Sequence, residues 1–431
     1  MSRRRTRTRR SATPPKLSNL IILLLILGGI WLYQNGYFDS LLGPLGEPSA
    51  EVESPETQDG AQAEAPESPA PVVPQPSAPA AEDDGRGLDE EPPAQAEVDT
   101  GTLRGFSGSW YQVYFTKPSY PEQRANRVGG LDEALVADIN AAQQQIEVVS
   151  FDFDVTSIAD ALVQARERGV SVRVSVDGEN LEAAEVAKVT GDLQAADIPV
   201  FFDERQAFMH DKFIVIDGVV VWTGSANLTV NDVFRNNNNM LRIQSPDLAA
   251  NYLAKSEDIF TGQGGTAGGS VLVNPQLTIG EAQVVNAFAP DDAITDAIIE
   301  RINAAQQSVD MMAFAFTSDP IAEALVQARQ RELPVRAVME SRNVKGSGSE
   351  FNVAREGGID MHADGNCYIM HHKVIIIDGR TVITGSFNFT RSAQDQNDEN
   401  VLIIDDPSLA ARYTEEFERV YQQALQPIRC G

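Results

Sequence analysis

The chain has 431 residues, and its 62 acidic and 34 basic residues give a formal net charge of −28 at pH 7. This acidic excess opposes non-specific binding to nucleic acid or anionic lipid, because such binding depends on Lys and Arg beside phosphate groups. The hydrophobic content of 42% is normal for a folded protein. The length suits two domains of roughly 150 residues each, once the first hundred residues are set aside.

Residues 1–16 form a basic tail with six arginines among the first ten residues. Residues 17–38 begin with an apolar run, which at roughly 1.5 Å per residue is just long enough to cross a hydrocarbon core. Basic residues before the run and acidic residues after it orient the N-terminus inward. We therefore predict a single-pass anchor in the cell membrane with the remaining chain extracytoplasmic. A cleaved signal peptide, which would release a secreted protein, is the alternative.

Residues 39–102 are rich in Pro, Ala and Glu. Such a stretch cannot bury enough apolar surface to offset its conformational entropy. We predict a disordered linker that holds the folded part away from the bilayer.

An internal repeat follows the linker. The segment Ile-Asn-Ala-Ala-Gln-Gln occurs at residues 139–144 and again at 302–307, and Ala-Leu-Val-Gln-Ala-Arg recurs at the same offset of 163 residues. A repeat this long is a whole domain. We predict two duplicated domains, 103–264 and 275–428, joined by a glycine-rich segment. In each copy strands alternate with helices, which is typical of an α/β fold.

Each copy contains the pattern histidine, any residue, lysine, four residues, aspartate, and later Gly-Ser-x-Asn. The first copy comprises His210, Lys212, Asp217, Ser225 and Asn227. The second comprises His371, Lys373, Asp378, Ser386 and Asn388. Alternate residues of a strand face one side, so each histidine and its lysine project together. Imidazole, ammonium, hydroxyl and amide groups in one place suit a phosphate oxyanion.

This pattern closely resembles the signature of the phospholipase D superfamily, and the resemblance covers roughly residues 103–428. It implies two α/β domains in a pseudo-twofold arrangement with both motifs at their interface. It also implies a two-step displacement with no metal and no cofactor, in which one histidine attacks phosphorus and the other transfers protons. By this resemblance His210 is the nucleophile, His371 is the acid and base, and the two lysines hold phosphate oxygens. Asp217 and Asp378 are then supporting residues.

The two copies differ close to the motifs. Fourteen residues after each motif serine stand Asn239 and Asn400, and one residue earlier stand Asn238 and Glu399. A carboxylate raises the proton affinity of a neighbouring imidazole, whereas a neutral amide does not. The difference predicts unequal roles for the two histidines, and we place Glu399 with the catalytic residues and Asn238 and Asn400 with the substrate contacts.

Three functions remain open at this level. The first is phospholipid hydrolysis, the second is cleavage of DNA or RNA phosphodiesters, and the third is a membrane-anchored binding module without activity. The acidic balance and the intact motifs favour the first. No stable protein partner is predicted.

Cysteine occurs twice, as Cys367 and Cys430. Two cysteines are too few for a disulfide framework. We expect free thiols, with a bridge between them as the alternative outside the cytoplasm.

Overall fold

The computed structural model describes residues 97–265 and 272–430. The predicted basic tail (1–16) and anchor (17–38) lie outside the described residues, as do most of the predicted linker and the centre of the glycine-rich segment. No helix formed by the described residues is long and apolar enough to cross a membrane.

The described residues form two sheets, with nine strands in the first and eight in the second. The first contains β1 (Glu97–Asp99), β2 (Leu103–Ser107), β3 (Tyr111–Thr116), β4 (Gln145–Ser150), β5 (Ser171–Asp177), β6 (Val200–Asp203), β7 (Lys212–Ile216), β8 (Val220–Gly224) and β9 (Asn239–Gln244). The second contains β10 (Gln276–Ile279), β11 (Ala282–Ala289), β12 (Val309–Ala313), β13 (Val335–Met339), β14 (Asp360–Ala363), β15 (Lys373–Ile377), β16 (Thr381–Gly385) and β17 (Glu399–Asp405).

Helices connect and cover the strands. In chain order the α-helices are α1 (Leu131–Ala141), α2 (Thr156–Glu167), α3 (Ala184–Ala195), α4 (Val230–Phe234), α5 (Pro246–Phe260), α6 (Ile294–Ala304), α7 (Asp319–Gln330), α8 (Phe351–Glu356), α9 (Arg391–Asp395) and α10 (Pro407–Leu425). Two short 3-10 helices lie at Arg124–Asn126 and Gly178–Glu182.

The strand orders confirm the duplicated α/β architecture. The first sheet runs β1-β2-β3-β9-β8-β7-β4-β5-β6 and the second β10-β11-β17-β16-β15-β12-β13-β14. Apart from β1, the orders are identical. In both sheets the motif strand, β7 or β15, lies at the centre and pairs antiparallel on both sides. A central strand is covered on both faces, which explains the uninterrupted apolar runs that follow the motif lysines.

One hydrophobic cluster is shared by the two halves. It includes Phe213 and Tyr252 from the first half and Val374 and Tyr413 from the second, all fully buried. The outer face of each sheet packs separately against its own helices. The inner faces therefore form a common core with α5 and α10, and the edge of this core is where the two motifs meet.

The start of the first domain differs from the prediction. Residues 97–99 form β1, which pairs antiparallel with β2, and Lys117 Nζ lies 2.6 Å from an oxygen of Asp99. The predicted disordered linker, 39–102, is therefore wrong for its last six residues. Ladder hydrogen bonds from a neighbouring strand order this segment, and composition alone does not reveal them.

Cys367 and Cys430 form a disulfide, so the expectation of free thiols is wrong. The bridge joins the C-terminal tail to the loop that leads into the second motif, four residues before His371. It closes a loop of 63 residues by sequence separation. A cross-link of this length restricts the unfolded chain.

We expect the double substitution Cys367→Ser with Cys430→Ser to lower the free energy of unfolding by about 2–4 kcal/mol, because the unfolded chain regains the entropy that the cross-link removes. Urea denaturation of the variant and of the native protein measures this. Native protein treated with a reducing agent is the control and should unfold at the variant's midpoint. Equal midpoints for the oxidised native protein and the variant would refute the expectation.

Candidate active site

The two motif histidines are brought together by a reciprocal crossing of backbone. His210 N donates to Asp398 O at 2.9 Å, and His371 N donates to Asn237 O at 2.9 Å. Each histidine is therefore held by the segment that precedes the last strand of the other domain. Parallel bridges between Met209 and Asp398 and between Asn237 and Met370 complete the crossing.

A buried carboxylate of the same domain fixes the residue before each histidine. Met209 N donates to Asp177 Oδ2 at 2.9 Å, and Met370 N donates to Glu340 Oε2 at 2.7 Å. These acids lie at the carboxyl ends of β5 and β13, each separated from its motif strand by one strand of the sheet. Their positions follow from the α/β topology, but the motif itself does not point to them.

Each lysine turns back toward its own histidine, as strand alternation predicts. Lys212 Nζ donates to His210 O, and Lys373 Nζ donates to His371 O, both at 2.8 Å. An aromatic ring lies beside each pair. The ring of Phe151 is 5.1 Å from that of His210, and the ring of Phe314 is 4.8 Å from that of His371.

The four cationic or potentially cationic groups are almost completely buried. Each histidine is 7% exposed and each lysine 1%. Burial lowers the pKa of both histidines well below the usual range, and the nearby lysine charges lower it further. Burial lowers the pKa of Lys212 to about 8, and burial followed by repulsion from Lys212 lowers that of Lys373. A bound anion would relieve this repulsion.

The two imidazoles differ in the partner of Nδ1. Glu399 Oε2 lies 2.7 Å from Nδ1 of His210, and Asn238 Oδ1 lies 3.0 Å from Nδ1 of His371. The histidine that Glu399 contacts is thus the one in the other domain. Burial raises the pKa of Glu399 to about 8. The inequality inferred from the sequence therefore has a geometric counterpart, a carboxyl group on one imidazole and an amide on the other.

The motif serines bond to these partners. Ser225 Oγ donates to Asn238 Oδ1 at 2.8 Å, and Ser386 Oγ donates to Glu399 Oε2 at 2.6 Å. Both serines are fully buried. Their contacts show them as supports for Asn238 and Glu399, whereas the sequence suggested direct contact with substrate.

The motif asparagines Asn227 and Asn388 are different, because each has a buried side-chain oxygen without a partner within the protein. Both residues are half-buried. A side-chain amide that the protein leaves unbonded fits a substrate contact. These two positions remain predicted substrate contacts.

Asn400 lies in the domain interface. Its Nδ2 donates to Thr223 Oγ1 at 2.7 Å, and its Oδ1 accepts from the backbone N–H of Lys212 at 3.2 Å. Asn239, its counterpart, accepts from Thr384 Oγ1 at 3.0 Å across the same interface. The protein thus uses both ends of the Asn400 amide, so its predicted contact with substrate is replaced by a role in joining the domains.

Asp217 and Asp378 lie at the far ends of β7 and β15 and have no contact with the histidines. Each has a positive φ, 53° and 56°, in a tight turn followed by glycine. Asp217 accepts from the backbone N–H groups of residues 143–145, and Asp378 accepts from those of residues 306–308. They anchor the turn to the preceding helix–strand loop, which is a supporting role and not a chemical one.

Asp232 is a buried acid that sequence reasoning missed. It lies on α4, 3.6 Å from Nδ1 of His371. His372, by contrast, points to the opposite strand face, where Nε2 contacts Glu416 at 3.1 Å. Among the described residues, no cluster of three or more His, Cys, Asp or Glu side chains is arranged to hold a metal ion.

The family model described as "Cardiolipin synthase, PLD-like domain" matches residues 135–259 and 298–421, which is more than half of the chain. The chain belongs to the phospholipase D superfamily. Both matches contain a complete motif, so the superfamily signature is present twice.

Relatives match about one domain each. A protein named "Phospholipase D" from Rickettsia prowazekii is 38% identical over 135 residues, which cover 31% of this chain and 66% of that protein. "Mitochondrial cardiolipin hydrolase" from Homo sapiens is 37% identical over 126 residues, covering 29% of this chain and 50% of that protein. The chain thus spans about two thirds or less of the length of these relatives.

A solved structure matches across both domains. Phosphatidylserine synthase from Haemophilus influenzae aligns with a TM-score of 0.56 at 14% identity, covering 77% of this chain and 88% of that one. At this identity the likeness concerns the fold alone. It supports the paired α/β arrangement described above.

The interface role of Asn400 and the substrate contact of Asn388 can be distinguished by experiment. We expect Asn400→Ala to lower the free energy of unfolding by about 1–3 kcal/mol, because it leaves buried interface groups unpaired. Asn388→Ala should leave stability nearly unchanged and raise KM for a bis-aryl phosphodiester, since its oxygen has no partner to lose. Urea denaturation and steady-state kinetics on both variants test this. Equal destabilisation by the two substitutions would contradict the assignment.

The lowered pKa of Lys212 predicts a loss of activity at high pH. We expect kcat/KM for the same phosphodiester to fall as pH rises through about 8, because Lys212 then loses the proton that attracts the anion. Lys212→Arg should move this fall to higher pH, since a guanidinium stays protonated. If kcat/KM of Lys212→Arg falls at the same pH as that of the native protein, a group other than Lys212 causes the fall.

Proposed function

We propose that the chain is a metal-independent phosphodiesterase that hydrolyses phospholipids in the manner of phospholipase D, through a phosphohistidine. The observation that carries this proposal is the convergence of two histidines and two buried lysines, one pair from each domain, at a single interface. Such a site supplies positive charge for a phosphodiester anion from both sides. It also supplies two imidazoles, one for attack and one for proton transfer.

The reaction takes two steps. In the first, Nε2 of one histidine forms a bond to phosphorus while the bond to the leaving oxygen breaks, and the other histidine gives that oxygen a proton. In the second, the other histidine takes a proton from water, the water oxygen bonds to phosphorus, and the phosphorus–nitrogen bond breaks. The products are phosphatidic acid and the free head group. Lys212 and Lys373 stabilise the non-bridging oxygens throughout.

The rim of the site favours a lipid over a nucleic acid. Phe208, two residues before His210, is 38% exposed and packs its ring 5.3 Å from that of Phe151. It offers apolar surface next to the reacting groups, which suits the glycerol and acyl part of a lipid. The named relatives, a phospholipase D and a cardiolipin hydrolase, point the same way.

The ion pairs of three arginines support the same choice. Arg127 and Arg235 both bond to Glu122, at 2.8 and 3.0 Å. Arg205 bonds to Asp203 and Asp398. These arginines are neutralised by carboxylates, whereas a nucleic-acid groove needs basic side chains directed at a phosphate backbone.

We also propose an extracytoplasmic location, tethered to the cell membrane by residues 17–38. The disulfide between Cys367 and Cys430 supports it, because such bonds persist in oxidising compartments. The alternative, secretion after signal cleavage, predicts the same compartment.

We expect His210→Ala and His371→Ala each to lower hydrolysis of phosphatidylcholine vesicles at least about a hundredfold, because each histidine is needed in both steps. EDTA should leave the native rate unchanged. Choline and phosphatidic acid release by full-length protein measures the activity. The matched control is His362→Ala, since His362 is bonded to Asp360 on β14 and should keep native activity.

The same preparations are offered single- and double-stranded DNA. Cleavage of DNA with no release of choline would replace the lipid proposal with a nuclease. If the folded protein cleaves neither substrate, the binding module without activity becomes the remaining function. Dependence on a divalent metal would overturn the proposed chemistry.

A further inference from the structure

We infer that Asp232 is the carboxylate partner of His371 and positions that imidazole for reaction through the side chain of Asn238. This rests on the proposed chemistry, in which His371 acts with His210 on a phosphodiester. Asp232 lies outside the motif, and the family signature assigns it no part.

The repeat shows that the acid has changed position between the copies. An offset of 161 residues aligns Asp232 on α4 with Ala393 on α9, and Asn238 with Glu399. The second copy therefore carries its acid at the first residue of its last strand and an alanine on the short helix. The first copy carries an amide at the strand and the acid on the helix. Each half supplies one carboxylate for the histidine of the other half.

The distances support a relay from Asp232 to His371. Asp232 Oδ1 accepts from Asn238 Nδ2 at 2.9 Å, and Asn238 Oδ1 lies 3.0 Å from Nδ1 of His371. Asp232 Oδ1 is itself 3.6 Å from the same ring nitrogen. The carboxylate thus bonds to the amide that contacts the imidazole and lies close to the same ring nitrogen. Glu399 reaches His210 without an intermediate.

The orientation of the Asn238 amide is determined by its neighbours. Its Nδ2 donates to the carboxylate and to the backbone oxygen of Asp232, at 2.9 and 3.2 Å. Its Oδ1 accepts from Ser225 Oγ at 2.8 Å. The amide oxygen must therefore face His371, so Nδ1 carries the ring hydrogen and Nε2 keeps its lone pair. Asp232 thereby selects the tautomer that can attack phosphorus or accept a proton.

The surroundings of Asp232 favour its charged form. Its carboxylate is buried, and it accepts from Asn236 Nδ2 at 2.6 Å and from the backbone N–H of Asn227 at 2.8 Å. Burial favours the neutral acid, but His371 and these hydrogen bonds outweigh it, and the pKa of Asp232 lies below its usual value. A negative charge at this distance stabilises the positive charge that His371 gains when Nε2 bonds to phosphorus or to a proton.

Other charges also act on His371, and they come from both domains. The titratable groups around it are Asp232, Lys212, Lys373, His210 and His372. Four of these five are cationic when protonated, and Asp232 is the carboxylate among them. Its removal should therefore lower the pKa of His371 further.

The experiment uses full-length protein and a bis-aryl phosphodiester, so that it does not depend on a lipid substrate. We expect Asp232→Asn to lower kcat roughly tenfold or more and to move the limb of the kcat/KM profile that reports His371 to lower pH. A purely structural role would lower activity and leave that limb in place. Asp154→Asn is the matched control, because Asp154 bonds to the first backbone N–H of α4 without contacting His371.

A double variant tests the relocation itself. Asp232→Ala combined with Asn238→Glu rebuilds the arrangement of the second copy, an alanine on the helix and an acid at the strand. We expect it to recover most of the kcat that Asp232→Ala alone loses. Native activity in Asp232→Asn, or no recovery in a folded double variant, would overturn the inference. An inactive native protein would instead overturn the proposed function.

Discussion

The structure depends on one reciprocal contact, in which the backbone before the last strand of each domain bonds to the motif histidine of the other. The paired bonds of His210 to Asp398 and of His371 to Asn237 leave neither domain with a complete site of its own. The same segments then carry Glu399 and Asn238 to the imidazoles. A single crossing therefore joins the domains, aligns the histidines and delivers the partner of each Nδ1. The same backbone hydrogen bonds therefore hold the two domains together and fix the geometry of the site.

The two copies also differ in the residue that follows each motif histidine, which is an acid in the first copy and a histidine in the second. The residue after each motif histidine points away from the site toward the closing helix of its own domain. In the second domain His372 meets Glu416 on α10, and in the first Asp211 faces the charge of Lys255 on α5. Lys255 also bonds to Asp398 at 2.6 Å. Each half therefore places an acid opposite a base between strand and helix, with the residue types reversed between the copies.

The internal repeat and strand alternation predicted the duplicated α/β fold and the projection of each histidine together with its lysine, whereas the meeting of the two motifs was implied only by the resemblance to the phospholipase D superfamily. They were insufficient where a residue's role depends on a distant partner. Asn400 reads as a substrate contact until Thr223 is seen across the interface. The bridge from Cys367 to Cys430 depends on where the C-terminal tail returns. Asp232 has no signal in the motif, because its importance arises from proximity to a histidine 139 residues away.

The divergence between the copies follows a chemical division within the imidazole ring. In the proposed reaction both Nε2 atoms approach one phosphorus from opposite sides, which fits the equivalent positions of the histidines and lysines. The Nδ1 side has no such restriction, because a carboxylate influences the ring through its charge and through the hydrogen bond that sets the tautomer. The hydrogen bond to the ring can come from the carboxyl group itself, as at Glu399, or from an amide that is bonded to a carboxylate, as at Asn238 beside Asp232. A direct carboxyl group can take up the Nδ1 proton, whereas an amide cannot. The two histidines are therefore equivalent in placement and different in the partner of Nδ1, which suits the proposed reaction with one nucleophile and one acid.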